Sequence, residues 1–248
     1  MSENKSRKVA LVTGANKGIG FDTARQLGQQ GITVLLGARD EQKGREAATK
    51  LRDEGLDVRF LHLDVTDYAT HGTAKQFIEE NFRKLDILIN NAGIALDFQV
   101  PASEGTPEQW RETFETNLFS LIALTQTLLP LIKKSEAGRI VNLSSILGSL
   151  TLNSDPNSPF APGGASTGTV YNASKAALNM FTVHLANELK ESGIKVNAAH
   201  PGWVKTDMGG EAAPLDTETG AKTSVALATL PGDGFTGKYI HLGEELPW

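Results

Sequence analysis

The most informative stretch of this 248-residue chain is Val9-Ala10-Leu11-Val12-Thr13-Gly14-Ala15-Asn16-Lys17-Gly18-Ile19-Gly20. Its apolar start is typical of a buried strand, and its glycines let the backbone turn tightly and approach a ligand without a Cβ in the way. The helix that we expect next would present free N–H groups and a partial positive charge to an anion. This strand–turn–helix context predicts a pyrophosphate-binding turn, although a glycine-rich turn that serves only packing is the alternative.

The rest of the chain alternates short apolar runs with amphipathic stretches. The runs are Lys8–Thr13, Ile32–Leu36, Val58–Leu63, Leu85–Asn90, Arg139–Leu143, Lys195–Ala199 and Lys238–Leu242. The helix-like stretches are Ile19–Gln30, Glu41–Glu54, Asp67–Arg83, Pro107–Lys133, Val170–Glu191 and Asp216–Ala228. The pattern predicts one α/β domain over residues 1–248, a Rossmann-like, doubly wound sheet of about seven parallel strands with helices on both faces. A (β/α)8 barrel is the alternative, and the strand number and the glycine turn argue against it.

Two stretches interrupt the alternation. Residues 149–168 are rich in Pro, Gly and Ser, and we interpret them as an inserted loop. Residues 201–214 follow the sixth predicted strand, at the end of the sheet where ligands bind in such folds. We therefore expect this second segment to be a substrate loop.

Composition excludes several classes of protein. The chain is 40% hydrophobic and 21% charged with a net charge of −5, which offers no general attraction to nucleic acid or to an anionic membrane. It has no cysteine, and its five histidines lack the spacing of metal ligands, so we predict no metal site. The polar start and the absence of any run of 18 apolar residues predict a cytoplasmic location.

The second strand ends in Ala38-Arg39-Asp40, where a site for NAD would place an acidic residue against the ribose 2′-hydroxyl. Arg39 stands near that position, and Lys17 in the glycine turn adds a second cation. A 2′-phosphate would meet two basic groups and no opposing carboxylate, so we predict NADP(H). The alternative is that both are solvated surface cations, with Asp40 partly neutralising Arg39.

Tyr171 and Lys175 are four residues apart on a predicted helix and therefore share a face. A nearby ammonium stabilises a phenolate, so Lys175 is expected to lower the Tyr171 pKa and make the pair an acid/base. Taken alone, this spacing usually marks an exposed helix face.

Several further motifs stand in register with this pair. They are Leu63-Asp64-Val65, Asn90-Asn91-Ala92-Gly93, Asn117, Asn142-Leu143-Ser144-Ser145 and Pro201-Gly202-Trp203-Val204-x-Thr206. With the glycine turn and Tyr171-x-x-x-Lys175, they make the chain resemble the short-chain dehydrogenase/reductase family, and more narrowly its NADP-dependent carbonyl reductases. The resemblance covers nearly the whole chain.

The resemblance implies a role for each matching residue. Tyr171 would donate a proton as hydride reaches a carbonyl carbon, Ser145 would bind the carbonyl oxygen, Lys175 would support both Tyr171 and the cofactor ribose, and Asn117 would hold a water in a proton relay. From the residues alone, Ser144 and Ser145 are equivalent strand-end caps, and Asn117 is a core amide. The cofactor residues would be Gly14, Asn16, Lys17, Gly18, Ile19, Gly20, Arg39, Asp64, Val65, Asn91, Ala92, Gly93, Tyr171, Lys175, Pro201, Gly202, Val204 and Thr206.

The substrate side is less determined. Ser145 and Tyr171 lie 26 positions apart, a longer gap than the compact family usually has, and Phe160 falls in it. The expected substrate-binding residues are Ile94, Ser145, Ile146, Phe160, Tyr171, Trp203 and Met208, with Leu96 and Phe98 as further wall residues. The apolar wall includes no Arg or Lys, which favours an apolar ketone, aldehyde or quinone. The insertion would obstruct helix pairing between copies, so a monomer or homodimer is expected.

Three other functions compete with carbonyl reduction. One is an NADP-dependent alcohol dehydrogenase that works mainly in oxidation. Another is a non-catalytic NADP(H)-binding redox sensor, which the presence of Ser145, Tyr171, Lys175 and Asn117 disfavours. The last is an epimerase or dehydratase, which the three residues between Gly14 and Gly18 disfavour.

Overall fold

The computed structural model describes residues 7–161 and 168–248. Within them, eight strands form one sheet in the order β3-β2-β1-β4-β5-β6-β7-β8. The strands are β1 Val9–Val12, β2 Thr33–Ala38, β3 Val58–His62, β4 Ile87–Asn90, β5 Arg139–Leu143, β6 Lys195–Ala199, β7 Tyr239–His241 and β8 Glu244–Glu245. The first seven are parallel, which confirms the predicted fold class, and the short β8 pairs antiparallel with β7.

The helices connect the strands on both faces of the sheet. They are α1 Gly18–Gln29, α2 Glu41–Asp53, α3 Tyr68–Phe82, α4 Pro107–Phe114, α5 Ser120–Ile132, α6 Leu150–Ser154, α7 Thr169–Glu188 and α8 Thr217–Ala228. Ala10 and Val12 of β1 face a core shared with α1, α2 and α8. Val9 and Leu11 face a second core shared with α3, α5 and α7. Every residue of β1 is therefore buried, as its continuous apolar pattern predicts.

Two predicted elements differ from the structure. The expected helix 107–133 is interrupted by a π-helical turn, Glu115–Phe119, that separates α4 from α5. The expected loop 149–168 contains the short helix α6, whose start is capped by the Ser149 hydroxyl accepting from the Leu152 N–H. Residues 162–167 of that stretch lie outside the described residues.

The strand order places the candidate site. After β3 at one edge, the chain returns to the middle of the sheet and adds β4 beside β1. The loops after β1 and β4 leave the sheet in opposite directions, which opens a crevice at their carboxyl ends, where ligands bind in doubly wound folds. Among the described residues, no helix is long and apolar enough to cross a membrane.

Candidate active site

A cleft of about 890 Å³ lies at this crevice. Most of the expected cofactor residues line it: Gly14, Asn16, Lys17, Gly18, Ile19, Gly20, Arg39, Asp64, Val65, Asn91, Ala92, Gly93, Tyr171, Lys175 and Thr206. Pro201, Gly202 and Val204 lie outside that lining. The Val204 side chain points into the core, where its Cγ2 would be 2.7 Å from a Cβ at Gly220. These three residues lie in the loop after β6, and their predicted contact with a cofactor stays a prediction.

The glycine turn is a cradle that side chains would fill. Gly14 and Gly18 have φ of 61° and 60°, a conformation that favours glycine. A Cβ at Gly20 would lie 2.5 Å from Asn91 Nδ2 and 2.7 Å from the Gly14 carbonyl oxygen. The exposed N–H groups at the start of α1 and the absence of side chains at these positions fit a pyrophosphate.

Thr13 and Asn91 join the glycine turn to the loop after β4. Thr13 Oγ1 accepts from the backbone N–H groups of Asn91 (2.9 Å) and Ala92 (3.0 Å). Asn91 Nδ2 donates to the carbonyl oxygens of Thr13 (2.8 Å) and Gly14 (3.2 Å). Asn91 was expected to lie against the cofactor, and it also holds the turn in shape. The same role for Thr13 was missed, because a hydroxyl beside a glycine motif does not reveal its partners in another strand.

Arg39 and Lys17 both line the cleft, but their surroundings differ. Arg39 is exposed, and among the described residues no carboxylate forms an ion pair with it. Asp40 instead caps α2 by accepting from the Lys43 N–H (3.0 Å), so it does not neutralise Arg39. Lys17 forms an ion pair with Asp207 of the substrate loop, and this lowers the pKa of the Asp207 carboxyl. The expectation of two cations with no opposing carboxylate was therefore wrong for Lys17.

Tyr171 and Lys175 lie on one face of α7 and are both buried, at 7% and 4% exposure. Lys175 Nζ is 5.6 Å from the Tyr171 ring centroid and donates to the Leu143 carbonyl oxygen (2.8 Å). Burial raises the pKa of Tyr171 to about 12, which the neighbouring Ser145 hydroxyl partly offsets, and burial lowers the pKa of Lys175 to about 8. Desolvation of the phenolate is the largest cause of the raised Tyr171 pKa, and the expected lowering by Lys175 is not among its causes.

The two serines after β5 have different partners. Ser144 Oγ donates to Asn179 Oδ1 (2.6 Å), whereas the Ser145 hydroxyl lies beside Tyr171. Asn179 Nδ2 also donates to the Gly148 carbonyl oxygen (3.5 Å), so this amide holds both ends of the turn that carries Ser145. Asn179 continues the four-residue spacing of Tyr171 and Lys175, a signal that could have identified it from the sequence.

Asn117 is fully buried in the π-helical turn. Its Oδ1 accepts from the Ile94 N–H (2.8 Å), and its Nδ2 donates to the Ile94 carbonyl oxygen (2.8 Å) and to Ser174 Oγ (3.0 Å). These bonds engage both ends of the amide. The side chain therefore clamps the loop after β4, as the core-amide alternative predicts, and its expected role in holding a relay water stays a prediction. Asp64 Oδ1 is similarly engaged by the Thr66 N–H (3.0 Å) and hydroxyl (2.8 Å).

The structure places some of the expected substrate-binding residues on the cleft and others outside its lining. Ile94, Leu96, Phe98, Tyr171 and Met208 line the cleft. Ile146, Phe160 and Trp203 lie outside the lining that the described residues form, and their expected contact with substrate stays a prediction. The Trp203 ring lies across its own loop, because its Nε1 donates to the Gly209 carbonyl oxygen (2.8 Å). Ser145 also lies outside this lining but reaches the site through Tyr171.

Lys205 is exposed and also lines the cleft, and the expectation of a substrate wall without a cation stays a prediction. No group of three or more His, Asp or Glu side chains in residues 7–161 and 168–248 could hold a metal ion.

A family model described as short chain dehydrogenase matches residues 8–214. The chain belongs to the short-chain dehydrogenase family. Carbonyl reductase (NADPH) 1 of Mus musculus is 35% identical over 280 residues, covering 99% of this chain and 100% of that protein. The solved NADPH-bound carbonyl reductase from chicken fatty liver has a TM-score of 0.84 and 30% identity, covering 98% of this chain and 99% of that chain. Salutaridine reductase from Papaver somniferum has a TM-score of 0.82 and 33% identity, covering 94% and 99%. The predicted family is confirmed.

Proposed function

We propose that this chain reduces the carbonyl group of an apolar ketone, aldehyde or quinone with NADPH. The cofactor follows from the carbonyl reductases it resembles, which are named for NADPH or bind it, and the chain is an NADP-dependent short-chain oxidoreductase. The glycine cradle would hold the pyrophosphate and Arg39 the 2′-phosphate. NADPH, when bound, supplies the hydride. The observation that carries the proposal is Tyr171 beside Ser145 and Lys175, buried at the end of the cleft that begins at the glycine turn.

The proton chemistry favours reduction. With a pKa raised to about 12 by burial, Tyr171 is protonated at neutral pH and is available as a proton donor. Lys175, with a pKa lowered to about 8, is still mostly charged at pH 7 and stabilises the phenolate that forms as the proton leaves. Ser145, whose hydroxyl is beside the phenol, would donate to the carbonyl oxygen and orient it toward Tyr171. Asn117 would fix the loop of Ile94 through the two hydrogen bonds of its side-chain amide.

The substrate class rests on the cleft wall near Tyr171. Leu96, Phe98 and Met208 are 41%, 47% and 38% exposed there, and the Phe98 ring centroid lies 6.1 Å from that of Tyr171. Exposed apolar side chains grouped at a cleft favour an apolar ligand. A cytoplasmic location and a monomeric or homodimeric state stay predictions.

The test follows absorbance of the reduced nicotinamide in the presence of the purified protein. A panel of an aromatic aldehyde, a cyclic ketone, an α-diketone, a quinone and a steroid ketone is offered with NADPH and, separately, with NADH. We expect consumption of NADPH with at least one apolar carbonyl and much slower consumption of NADH. Silence across the panel while NADPH still binds by fluorescence would contradict carbonyl reduction and favour the sensor.

A further inference from the structure

The helix that carries Tyr171 has no cap of its own. The N-cap of α7 is Gly168, which has no side chain, and the first turn contains no acidic residue. Such a start leaves backbone N–H groups without acceptors, and burying them unpaired is costly.

Asp97 supplies the missing acceptors from a distant loop. Its Oδ2 accepts from the Val170 N–H (2.6 Å) and its Oδ1 from the Tyr171 N–H (3.2 Å), across 73 and 74 residues of sequence. The side chain is buried at 1% exposure. A carboxylate at this end of a helix is also favoured by the helix dipole.

We propose that Asp97 is a positioning residue that sets where the Tyr171 phenol stands, an inference that rests on the proposed function. Asp97 accepts from the N–H of Tyr171 itself, so its carboxylate fixes the point from which that side chain leaves the helix. The next residue, Phe98, packs its ring against the Tyr171 ring at 6.1 Å and 42°. The loop after β4 therefore holds Tyr171 by its backbone and by its ring.

The same loop connects Tyr171 to the cofactor cleft. Gly93 and Ile94 line the cleft only a few residues before Asp97, and Asn117 clamps the Ile94 backbone through two hydrogen bonds of 2.8 Å. Asp97 thus joins the wall of the cofactor cleft to the first turn of α7. Its loss would let the phenol move relative to both Ser145 and that wall, while the glycine cradle keeps its own contacts.

The test compares Asp97→Ala, which removes both acceptors, with Asp97→Asn, which keeps one oxygen acceptor. Asp67→Ala is the matched control, because Asp67 caps α3 by accepting from the Ala69 N–H (3.1 Å), and α3 carries no catalytic side chain. For Asp97→Ala we expect kcat to fall by about 10-fold or more, with KM for NADPH within about 2-fold of wild type. Asp97→Asn should recover about 3-fold or more of the lost kcat, because one of the two bonds can re-form. Asp67→Ala should keep the wild-type kcat.

Amide hydrogen exchange separates this proposal from the proposed function. Exchange at the Val170 and Tyr171 amides should be about 10-fold faster or more in Asp97→Ala, whether or not a substrate has been found. Wild-type exchange at these amides, an unchanged kcat, or an equal loss of kcat and NADPH affinity with no recovery in Asp97→Asn would overturn the positioning role. If Asp97→Ala does not fold, the same comparison is made between Asp97→Asn and Asp97→Ser. Lack of carbonyl reduction by the wild-type protein would overturn the proposed function. The hydrogen-exchange result would then decide by itself whether Asp97 caps α7.

Discussion

Removing the Arg39 guanidinium should shift the cofactor preference from NADPH toward NADH. Arg39 lines the cleft at the end of β2, where a 2′-phosphate would lie, and Asp40 is engaged in capping α2. One charge-assisted hydrogen bond contributes about 1.5–3 kcal/mol, which corresponds to about 10- to 100-fold in affinity. Arg39→Ala should therefore lower kcat/KM for NADPH by about that factor and leave NADH nearly unchanged. Arg39→Asp should lower it further and favour NADH, because the new carboxylate repels a phosphate and accepts from a ribose hydroxyl.

The assay measures initial rates with a saturating carbonyl substrate while NADPH or NADH is varied. Arg52→Ala is the control, since Arg52 is an exposed arginine on α2 whose guanidinium donates to Thr49 Oγ1 (2.7 Å). It should leave both cofactors unaffected. Lys17→Ala should cost less than Arg39→Ala, because Lys17 is already paired with Asp207. An unchanged ratio of NADPH to NADH efficiency in Arg39→Ala, or an equal loss in Arg52→Ala, would refute the assignment.

The remaining predictions concern the acid/base pair and the cradle. Tyr171→Phe should lower kcat by about 10²- to 10⁴-fold, because it removes the proton donor. Tyr68→Phe, which removes a phenolic hydroxyl from an exposed tyrosine, should leave kcat unchanged. Turnover by Tyr171→Phe at the wild-type rate in steady-state kinetics would reject the mechanism. Burial lowers the pKa of Lys175 from its ordinary value of 10.5 to about 8, so the unfolded chain binds more protons than the folded one between these two pH values. Burial of the charged Lys175 therefore lowers the free energy of unfolding fully below pH 8 and progressively less as pH rises to 10.5. Lys175→Met should therefore be more stable at pH 7 by about 2 kcal/mol, because the lowered pKa corresponds to about 3 kcal/mol and the unpaired Leu143 carbonyl costs about 1 kcal/mol. Urea unfolding should show a smaller advantage at higher pH, and an advantage independent of pH would contradict this. Gly20→Ala should abolish tight NADPH binding, because the new Cβ would collide with Asn91 and the Gly14 carbonyl. Gly72→Ala, where no atom lies within 4 Å of the new Cβ, should bind NADPH normally in a fluorescence titration. Normal binding by both variants would exclude the glycine turn as the pyrophosphate site.

The elements predicted well from the sequence are those whose signal is local. The run from Val9 to Gly20 contains the strand, the turn and the start of α1 within a few residues, and both faces of β1 are buried as its pattern predicts. The strand β8 could not be predicted, because it consists of Glu244 and Glu245, which are both exposed and show no apolar pattern. The π-helical turn was also hidden, since Asn117 sits among apolar residues and its partner Ile94 is 23 positions away.

In the candidate site, the sequence indicates which residues take part in the chemistry, but it does not indicate the environment of their side chains. The four-residue spacing places Tyr171 and Lys175 on one face, but their pKa values follow from burial, which only the packed structure determines. Likewise Lys17 and Asp207 are 190 positions apart, and nothing local to either residue indicates that they pair. The Asp97 contact with α7 is of the same kind, because it joins the loop after β4 to the first turn of a helix 73 positions further along the chain.

Hydride transfer from NADPH to a carbonyl carbon can be followed directly by isotope tracing. The purified protein is given NADPH carrying deuterium at the transferred position of nicotinamide C4, together with whichever aldehyde or ketone of the panel is consumed fastest, and the product is examined by mass spectrometry. We expect an alcohol with one deuterium on the former carbonyl carbon, formed by the wild-type protein and nearly absent with Tyr171→Phe. An alcohol without deuterium when both label positions have been tried, or NADPH consumed with no alcohol formed, would contradict it.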